Sequence, residues 1–258
     1  MKQRVNFISG LPRSGSTLLA SILRQNPEFT AGMTSPIASM FRSIENVTAE
    51  RNEASVFIDD KLREKYLKSL FSTYYDKDKV IFDTSRMWCA RTGILFKLFP
   101  DASMICCVRE FAWVMDSFEK LYKKNNQKPS AIYGYDTSGT VYSRTNSIAS
   151  GNGVAGFALN ALKEACASEH SNKIILVDYE KLCKEPSLVM ERIYDFLDLD
   201  KFAHNFNDVE YNAGEFDKKI GVKGLHDVRN KVEWRPRETI LPQDLFNRFI
   251  GDNFWKDK

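Results

Sequence analysis

The residues best placed by type and spacing to do chemistry begin at position 10. Gly10-Leu11-Pro12-Arg13-Ser14-Gly15-Ser16-Thr17 follows a short apolar run and opens an amphipathic stretch. Gly10 and Gly15 have the spacing of a phosphate-binding loop, whose N–H groups point inward and whose following helix adds partial positive charge. Glycine lets the backbone approach the anion closely. A Walker loop places Lys directly after its second glycine, to reach the terminal phosphates. Here that position is Ser16, and the basic residue is Arg13, inside the loop. A strand–turn–helix connection capped by Ser14 or Ser16 is the bland alternative. A cap alone needs neither two glycines nor an arginine between them. The pattern predicts an anion site built from Arg13, Ser14, Gly15, Ser16 and Thr17, and it weighs against a P-loop kinase or NTPase.

A second candidate pair is Arg109, at the end of the apolar run 104–108, and Ser117, eight residues on. Ser117 falls within the stripe of Val114, Phe118 and Leu121, which recurs at helical spacing. Taken singly, the serine would be a small residue in a tight helix–sheet contact and the arginine half of a surface ion pair.

Together with the loop, these residues resemble a known family. Pro-Arg-Ser-Gly-Ser-Thr after a first strand is similar to the 5′-phosphosulfate loop of sulfotransferases that use 3′-phosphoadenosine-5′-phosphosulfate (PAPS). Arg109 with Ser117 resembles their 3′-phosphate site. Asp178-Tyr179-Glu180 resembles their Tyr-Glu segment beside the nucleotide, and Lys223-Gly224 part of the loop closing over the 3′-phosphate, although the neighbouring Arg and Trp-Lys are out of register. The resemblance implies a sulfuryl donor, PAPS, leaving as 3′-phosphoadenosine 5′-phosphate (PAP). It implies two separate anion sites and no metal, the field coming from Arg13, helix dipoles and N–H groups. Sulfuryl transfer then rests on positioning and charge stabilisation, with Arg13 in a catalytic role.

A general base for the acceptor hydroxyl is the open position in this scheme. Tyrosylprotein sulfotransferases carry Glu after the first helix, whereas residues 31–36 here hold no carboxylate. Cytosolic aryl and steroid sulfotransferases carry Lys-x-His after a second strand, whereas this chain reads Asp83-Thr84-Ser85-Arg86. Asp83 is the first candidate base, with a helix cap or partner of Arg86 as its structural alternative. Arg86 is assigned the sulfate-stabilising role of the relatives' lysine. His226 is the second candidate, because its ordinary pKa suits neutral pH. Glu119 comes third, as a solvated helix residue.

The elements that must hold these groups are legible as apolar runs. Strands are predicted at 5–9, 79–82, 104–108 and 174–177, and helices at 16–25, 90–98, 111–124, 154–167 and 186–197, the last with Pro at its start. A short helix near 244–254 ends the chain. Continuous apolar strands, each followed by a helix, predict an α/β fold of three layers around a central parallel sheet, with ligands beyond the carboxyl ends of the strands. One domain is expected over 1–258. Residues 125–152 lack periodicity and are expected to form a lid over the acceptor, with Tyr133, Tyr135, Tyr142 and Arg144 shaping its pocket.

Composition narrows the partners. Among 258 residues, 37 Lys plus Arg stand against 34 Asp plus Glu, so the surplus is 37 − 34 = +3. That excludes a nucleic-acid arm or polybasic membrane anchor and requires any basic chemistry to be local. Cys89, Cys106, Cys107, Cys166 and Cys183 show no C-x-x-C pair, and Cys106 and Cys107 read as buried thiols on opposite faces of a strand. The scattered His170, His204 and His226 do not form a zinc pattern. No signal peptide or membrane span is seen. The expectation is a cytoplasmic enzyme of metabolite or secondary-metabolite sulfation with a small hydroxyl acceptor. A protein-tyrosine or glycan sulfotransferase, and a catalytically silent nucleotide-binding module, are the rivals.

Overall fold

The computed structural model describes residues 4–257 apart from 51, 77–78, 128–129, 131–133 and 135–138. The strands are β1 (Arg4–Gly10), β2 (Phe29–Ala31), β3 (Val80–Thr84), β4 (Met104–Val108) and β5 (Ile174–Asp178). They form one parallel sheet in the order β2-β3-β1-β4-β5. β1, β3 and β4 are central and almost wholly buried, while β5, at an edge, is mostly half-buried.

The helices are α1 (Ser16–Leu23), α2 (Ile37–Val47), α3 (Asp60–Tyr74), α4 (Thr92–Leu98), α5 (Phe111–Lys124), α6 (Val141–Ala149), α7 (Val154–Ala167), α8 (Tyr179–Lys184), α9 (Pro186–Leu197), α10 (Gly214–Lys219) and α11 (Gln243–Arg248). Strand side chains alternate between the two faces. Phe7, Met104, Cys106 and Val108 point to one face, covered by Phe41, Phe71, Leu95 and Met115. Ile8, Ile105 and Cys107 point to the other, covered by Leu19, Leu23, Ile193 and Leu197 of α1 and α9. Cys106 and Cys107 are indeed buried on opposite faces. The three-layer α/β arrangement is the predicted one.

The topology places the site. The chain leaves β1 toward β2 on one side of the sheet, whereas β4 lies on the other side of β1. The connections after β1 and β4 therefore diverge, and a crevice opens at the carboxyl ends of these two strands. Gly10 ends β1 and Arg109 follows β4 at the mouth of that crevice.

Four departures from the predicted elements matter for function. β3 runs to Thr84, so Asp83 lies inside the strand, opposite Phe7, and not beyond its end. The 90–98 helix is a 3-10 turn (Arg86–Arg91) followed by α4. Residues 125–152 contain α6. β2, α2, α3, α8 and α10 had no predicted counterpart. Tyr133 and Tyr135 lie outside the described residues. Among the described residues, no helix is long and apolar enough to cross a membrane.

Candidate active site

The loop after β1 is bound to β4 before it turns. A Cβ on Gly10 would lie 2.3 Å from the carbonyl oxygen of Cys107 and 2.7 Å from its nitrogen, so only glycine allows this approach. The N–H of Leu11 donates to that same carbonyl at 2.9 Å. The buried Ser14 hydroxyl also donates to it, at 2.9 Å, and lies within bonding distance of Leu11 O. Ser14 therefore braces the loop with its side chain, and only its N–H remains for an anion. Arg13 sits at φ 59° and Gly15 at φ 90°, both left-handed. A side-chain-bearing residue there is uncommon, and it turns the Arg13 side chain away from α1 and across the crevice. At Gly15 a Cβ would also strike the Tyr179 ring, 2.6 Å from Cδ2. Ser16 and Thr17 then form the first turn of α1.

Across the crevice stand Arg109 and Ser117. Arg13 Nε donates to Ser117 Oγ at 3.1 Å, and Arg13 Nη1 donates to the Leu225 carbonyl. Arg109 Nη1 donates to the Arg13 carbonyl at 3.3 Å, and its guanidinium carbon lies 4.4 Å from the centre of the Tyr179 ring. Burial, and secondly the neighbouring Arg237, depress Arg109 to a pKa of about 10. It remains a cation at neutral pH. Arg13, Gly15, Ser16, Thr17, Arg109, Ser117 and Tyr179, predicted separately from stretches spread over 166 positions (179 − 13), line a single cleft.

The other predicted residues are placed elsewhere. Lys223 is exposed, on a turn held by Asn125, which accepts from the Lys223 N–H at 3.0 Å and donates to its carbonyl at 3.3 Å. Gly224 sits at φ 78° against Lys124 and Asp227. Neither lines the cleft, and the wall begins one residue later, at Leu225. His226 is clamped by the buried Asp217, Nδ1 to Oδ1 at 2.6 Å and N–H to Oδ2 at 2.9 Å. That pair fastens α10 to the turn and stands off the cleft wall. Asp83 is fully buried. Ser35 and Tyr75 hydroxyls donate to its Oδ2 at 2.5 and 2.6 Å, and Trp88 Nε1 donates to Oδ1 at 2.7 Å. Burial raises its pKa, and the three donors oppose that rise. To act as a base it would have to surrender a donor and reach solvent. Arg86 is exposed at the start of the 3-10 turn.

Glu119 is corrected outright: it is buried, not solvated, and pairs with the equally buried Arg144 at 2.6 Å. The Arg144 guanidinium also lies 3.6 Å from the centre of the Tyr122 ring. Tyr142 spends its hydroxyl on Asp244, at 3.0 and 3.1 Å. Arg144 thus pins α6 to α5 and does not line the cleft.

Sequence reasoning missed the C-terminal strap. Arg229, Lys231, Glu233 and Arg237 line the cleft with Asp227. Five lining cations (Arg13, Arg109, Arg229, Lys231, Arg237) against two carboxylates (Asp227, Glu233) leave 5 − 2 = +3. That equals the surplus of the whole chain, so its positive charge is concentrated in this cleft. The dense basic run 229–237 was the available signal. Such a surface, with loop N–H groups at one end and half-buried guanidinium groups at the other, suits a ligand with two separated anionic groups.

The sequence of residues 6–204 matches the model of the sulfotransferase family. The chain is 22% identical over 260 aligned positions to protein-tyrosine sulfotransferase A of Caenorhabditis elegans, covering 93% of this chain and 62% of that protein. It thus spans a little under two thirds of the curated relative's length. The fold is similar to that of a sulfotransferase domain from the curacin biosynthetic pathway (TM-score 0.60, 14% identity, 100% of this chain and 98% of the other). It is also similar to a mouse sulfotransferase complexed with PAP (TM-score 0.50, 16% identity, 100% and 83%). With the family model covering well over half of its length, the chain belongs to the sulfotransferase family.

Proposed function

We propose that the cleft binds PAPS and that the protein transfers its sulfuryl group to a hydroxyl of a small-molecule acceptor. The observation that carries this reading is the meeting of the glycine loop with Arg109 and Ser117 in one cationic cleft, joined by the Arg13–Ser117 hydrogen bond. The Arg109 guanidinium, a cation lining the cleft beside Ser117, suits an anion at that end. The loop N–H groups and the start of α1 would hold the 5′-phosphosulfate, and Arg109 and Ser117 the 3′-phosphate.

PAPS supplies the sulfuryl group: the acceptor oxygen bonds to sulfur, the sulfur–oxygen bond to the 5′-phosphate breaks, and PAP leaves. The chain's part is to hold and polarise. Arg13 stands at the junction of the two ends and stabilises charge on the leaving phosphate, which requires exchanging its neutral acceptors, Ser117 Oγ and Leu225 O, for anionic oxygens. The acceptor proton passes to a base or to solvent. Asp83, as it stands, serves the framework that shapes the acceptor side through Ser35, Tyr75 and Trp88. Asn125 and Ser130 hold the turn that leads into the cleft wall, through Asn125 to Lys223 and Ser130 Oγ to the Ile220 carbonyl at 3.0 Å. That contact supports a covering role of residues 125–152 over the acceptor.

The 22% identity to a protein-tyrosine sulfotransferase favours one second reading, a tyrosine side chain as acceptor. Incubation with PAPS, PAP release being monitored over a panel of small alcohols, phenols and a tyrosine peptide, tests both. Sulfation of a small alcohol, lost in Arg13→Ala, supports the first reading. Sulfation of the peptide alone supports the second. No transfer to any acceptor, with PAP still bound, would leave a silent nucleotide-binding module.

A further inference from the structure

Beside Ser117, on the next position of α5, stands a carboxylate to which no role has been given. Asp116 is fully buried, yet it gathers the strap that follows the cleft wall. Its Oδ1 accepts from the Thr239 hydroxyl at 3.0 Å and from the Ile240 N–H at 2.7 Å. Its Oδ2 lies 3.1 Å from Arg237 Nη2 and 3.0 Å from Lys120 Nζ. Arg237 is further fixed by Trp113, whose carbonyl accepts from Nη2 at 3.4 Å and whose ring centre lies 4.8 Å from the guanidinium carbon.

From that anchor Arg237 lines the same cleft as Arg109. The Nε of each is buried and, among the described residues, has no hydrogen-bond partner. Burial depresses both pKa values, and Arg237 is the second cause of the depression at Arg109. Asp116 acts in the other direction on Arg237. Two half-buried like charges lining one cleft are an unfavourable arrangement by themselves, and a phosphate monoester dianion relieves it. Planar guanidinium forks bind such a group bidentately. A 3′-hydroxyl in its place would supply no negative charge to the two guanidinium groups, and a charged site of this kind discriminates strongly against the neutral group.

We propose that Asp116 is a positioning residue for nucleotide selectivity: by fixing the strap at Thr239 and Ile240 it holds Arg237 beside Arg109, and the two arginines clamp the 3′-phosphate of the donor. The inference rests on the PAPS reading above and adds the residue pair that separates 3′-phosphorylated from 3′-hydroxyl nucleotides. Asp116 touches no nucleotide and acts through Arg237.

Calorimetric titration of PAP and of AMP into the wild-type protein, Asp116→Asn, Arg237→Gln and the double variant tests this. The wild type should prefer PAP. Each single substitution should narrow that preference about tenfold or more, the loss of a charge-assisted contact, and the double variant should narrow it no further than Arg237→Gln does. Because Asp116 is buried, Asp116→Asn is accompanied by Thr239→Val, which removes one strap anchor without changing charge and should narrow the preference less. A preference unchanged in Arg237→Gln, or PAP and AMP weakened by the same factor in Asp116→Asn and Thr239→Val, would overturn the inference while leaving the PAPS reading intact. A wild type that binds PAP and AMP equally would overturn the PAPS reading itself, and this inference with it.

Discussion

Arg13 and Ser117, 104 residues apart in sequence, meet at 3.1 Å, Nε to Oγ. The contact joins the glycine loop to α5 and thereby sets the distance between the loop and the Arg109–Ser117 end of the cleft. It depends on the left-handed backbone at Arg13, φ 59°, which sends the side chain across the crevice and not along α1. Two of its acceptors, Ser117 Oγ and the Leu225 carbonyl, are neutral groups that an anion outcompetes.

Arg13→Gly separates function from stability. Glycine accepts φ 59° without the ~1–2 kcal/mol cost of a left-handed residue with a Cβ, which offsets the lost hydrogen bonds and the added freedom of the unfolded chain. Sulfuryl transfer should fall by about 10²–10³-fold, as for loss of one charge-stabilising donor. The melting temperature should stay within a few degrees of wild type. A large drop in stability with transfer retained would place Arg13 in the framework instead.

Gly15→Ala should damage the site through Tyr179. The new methyl would stand 2.6 Å from the ring at a backbone angle of φ 90°. A strained position of this kind costs about 1–3 kcal/mol, and displacement of Tyr179 disturbs the Arg109 guanidinium stacked on it at 4.4 Å. Weaker PAP binding together with a lower melting temperature is expected. Adding Tyr179→Ala should relieve the clash without restoring binding, because the positive φ and the lost stacking remain.

Asp83→Asn decides between base and framework. The carboxylate accepts three hydrogen bonds and is fully buried. An amide keeps one acceptor oxygen and turns N–H₂ toward one of the donors, leaving buried groups unsatisfied at about 1–3 kcal/mol. The urea midpoint should therefore fall, while kcat of the folded protein changes by less than about tenfold. A catalytic base would behave oppositely, with kcat lower by about 10²–10⁴-fold and little change in the midpoint.

Much of this architecture was legible in the sequence, and the reason is physical. β4, α5, α7 and α9 begin and end where the periodicity predicts, because each buries a complete face. The loop, Arg109 and Ser117 were legible because glycine spacing and strand ends restrict where an anion can sit. Asp83 was misplaced by two residues of strand: β3 continues through Asp83 and Thr84, polar residues whose burial is offset by hydrogen bonds that no local pattern announces. Arg144 and Glu119 looked like loop and surface residues because their burial rests on a pairing between two helices that no local pattern announces. The strap 225–240 has no periodicity, and its anchor, Asp116, lies 124 positions before Ile240.

Acid should weaken the fold through His204. Burial holds this imidazole below its ordinary pKa of 6.5, between Tyr194, whose hydroxyl is 3.0 Å from Nε2, and the rings of Phe202 and Phe206. The folded state then binds a proton less readily than the unfolded state. Its contribution to stability is complete above about pH 6.5 and is lost as pH falls through the lower folded value. Urea midpoints measured from pH 8 to pH 5 should decline, and His204→Gln should flatten the decline. An unchanged slope in the variant would assign the effect to other groups.

The Glu119–Arg144 pair predicts an asymmetry between single and double substitutions. Both side chains are buried, 5% and 8% exposed, and they meet at 2.6 Å. Glu119→Gln leaves a guanidinium buried without its counter-charge, which costs about 3–5 kcal/mol. Arg144→Met leaves the carboxylate in the same position. Glu119→Leu combined with Arg144→Met removes both charges while retaining apolar volume, and such replacements are often neutral to within a few kcal/mol. Because Arg144 fixes α6 to the helix that carries Ser117, Glu119→Gln should also increase protease cleavage within 139–149, ahead of global unfolding. Singles as stable as the double would show that the pair is solvated in solution and that α6 is held by its apolar contacts, among them the buried Ile148.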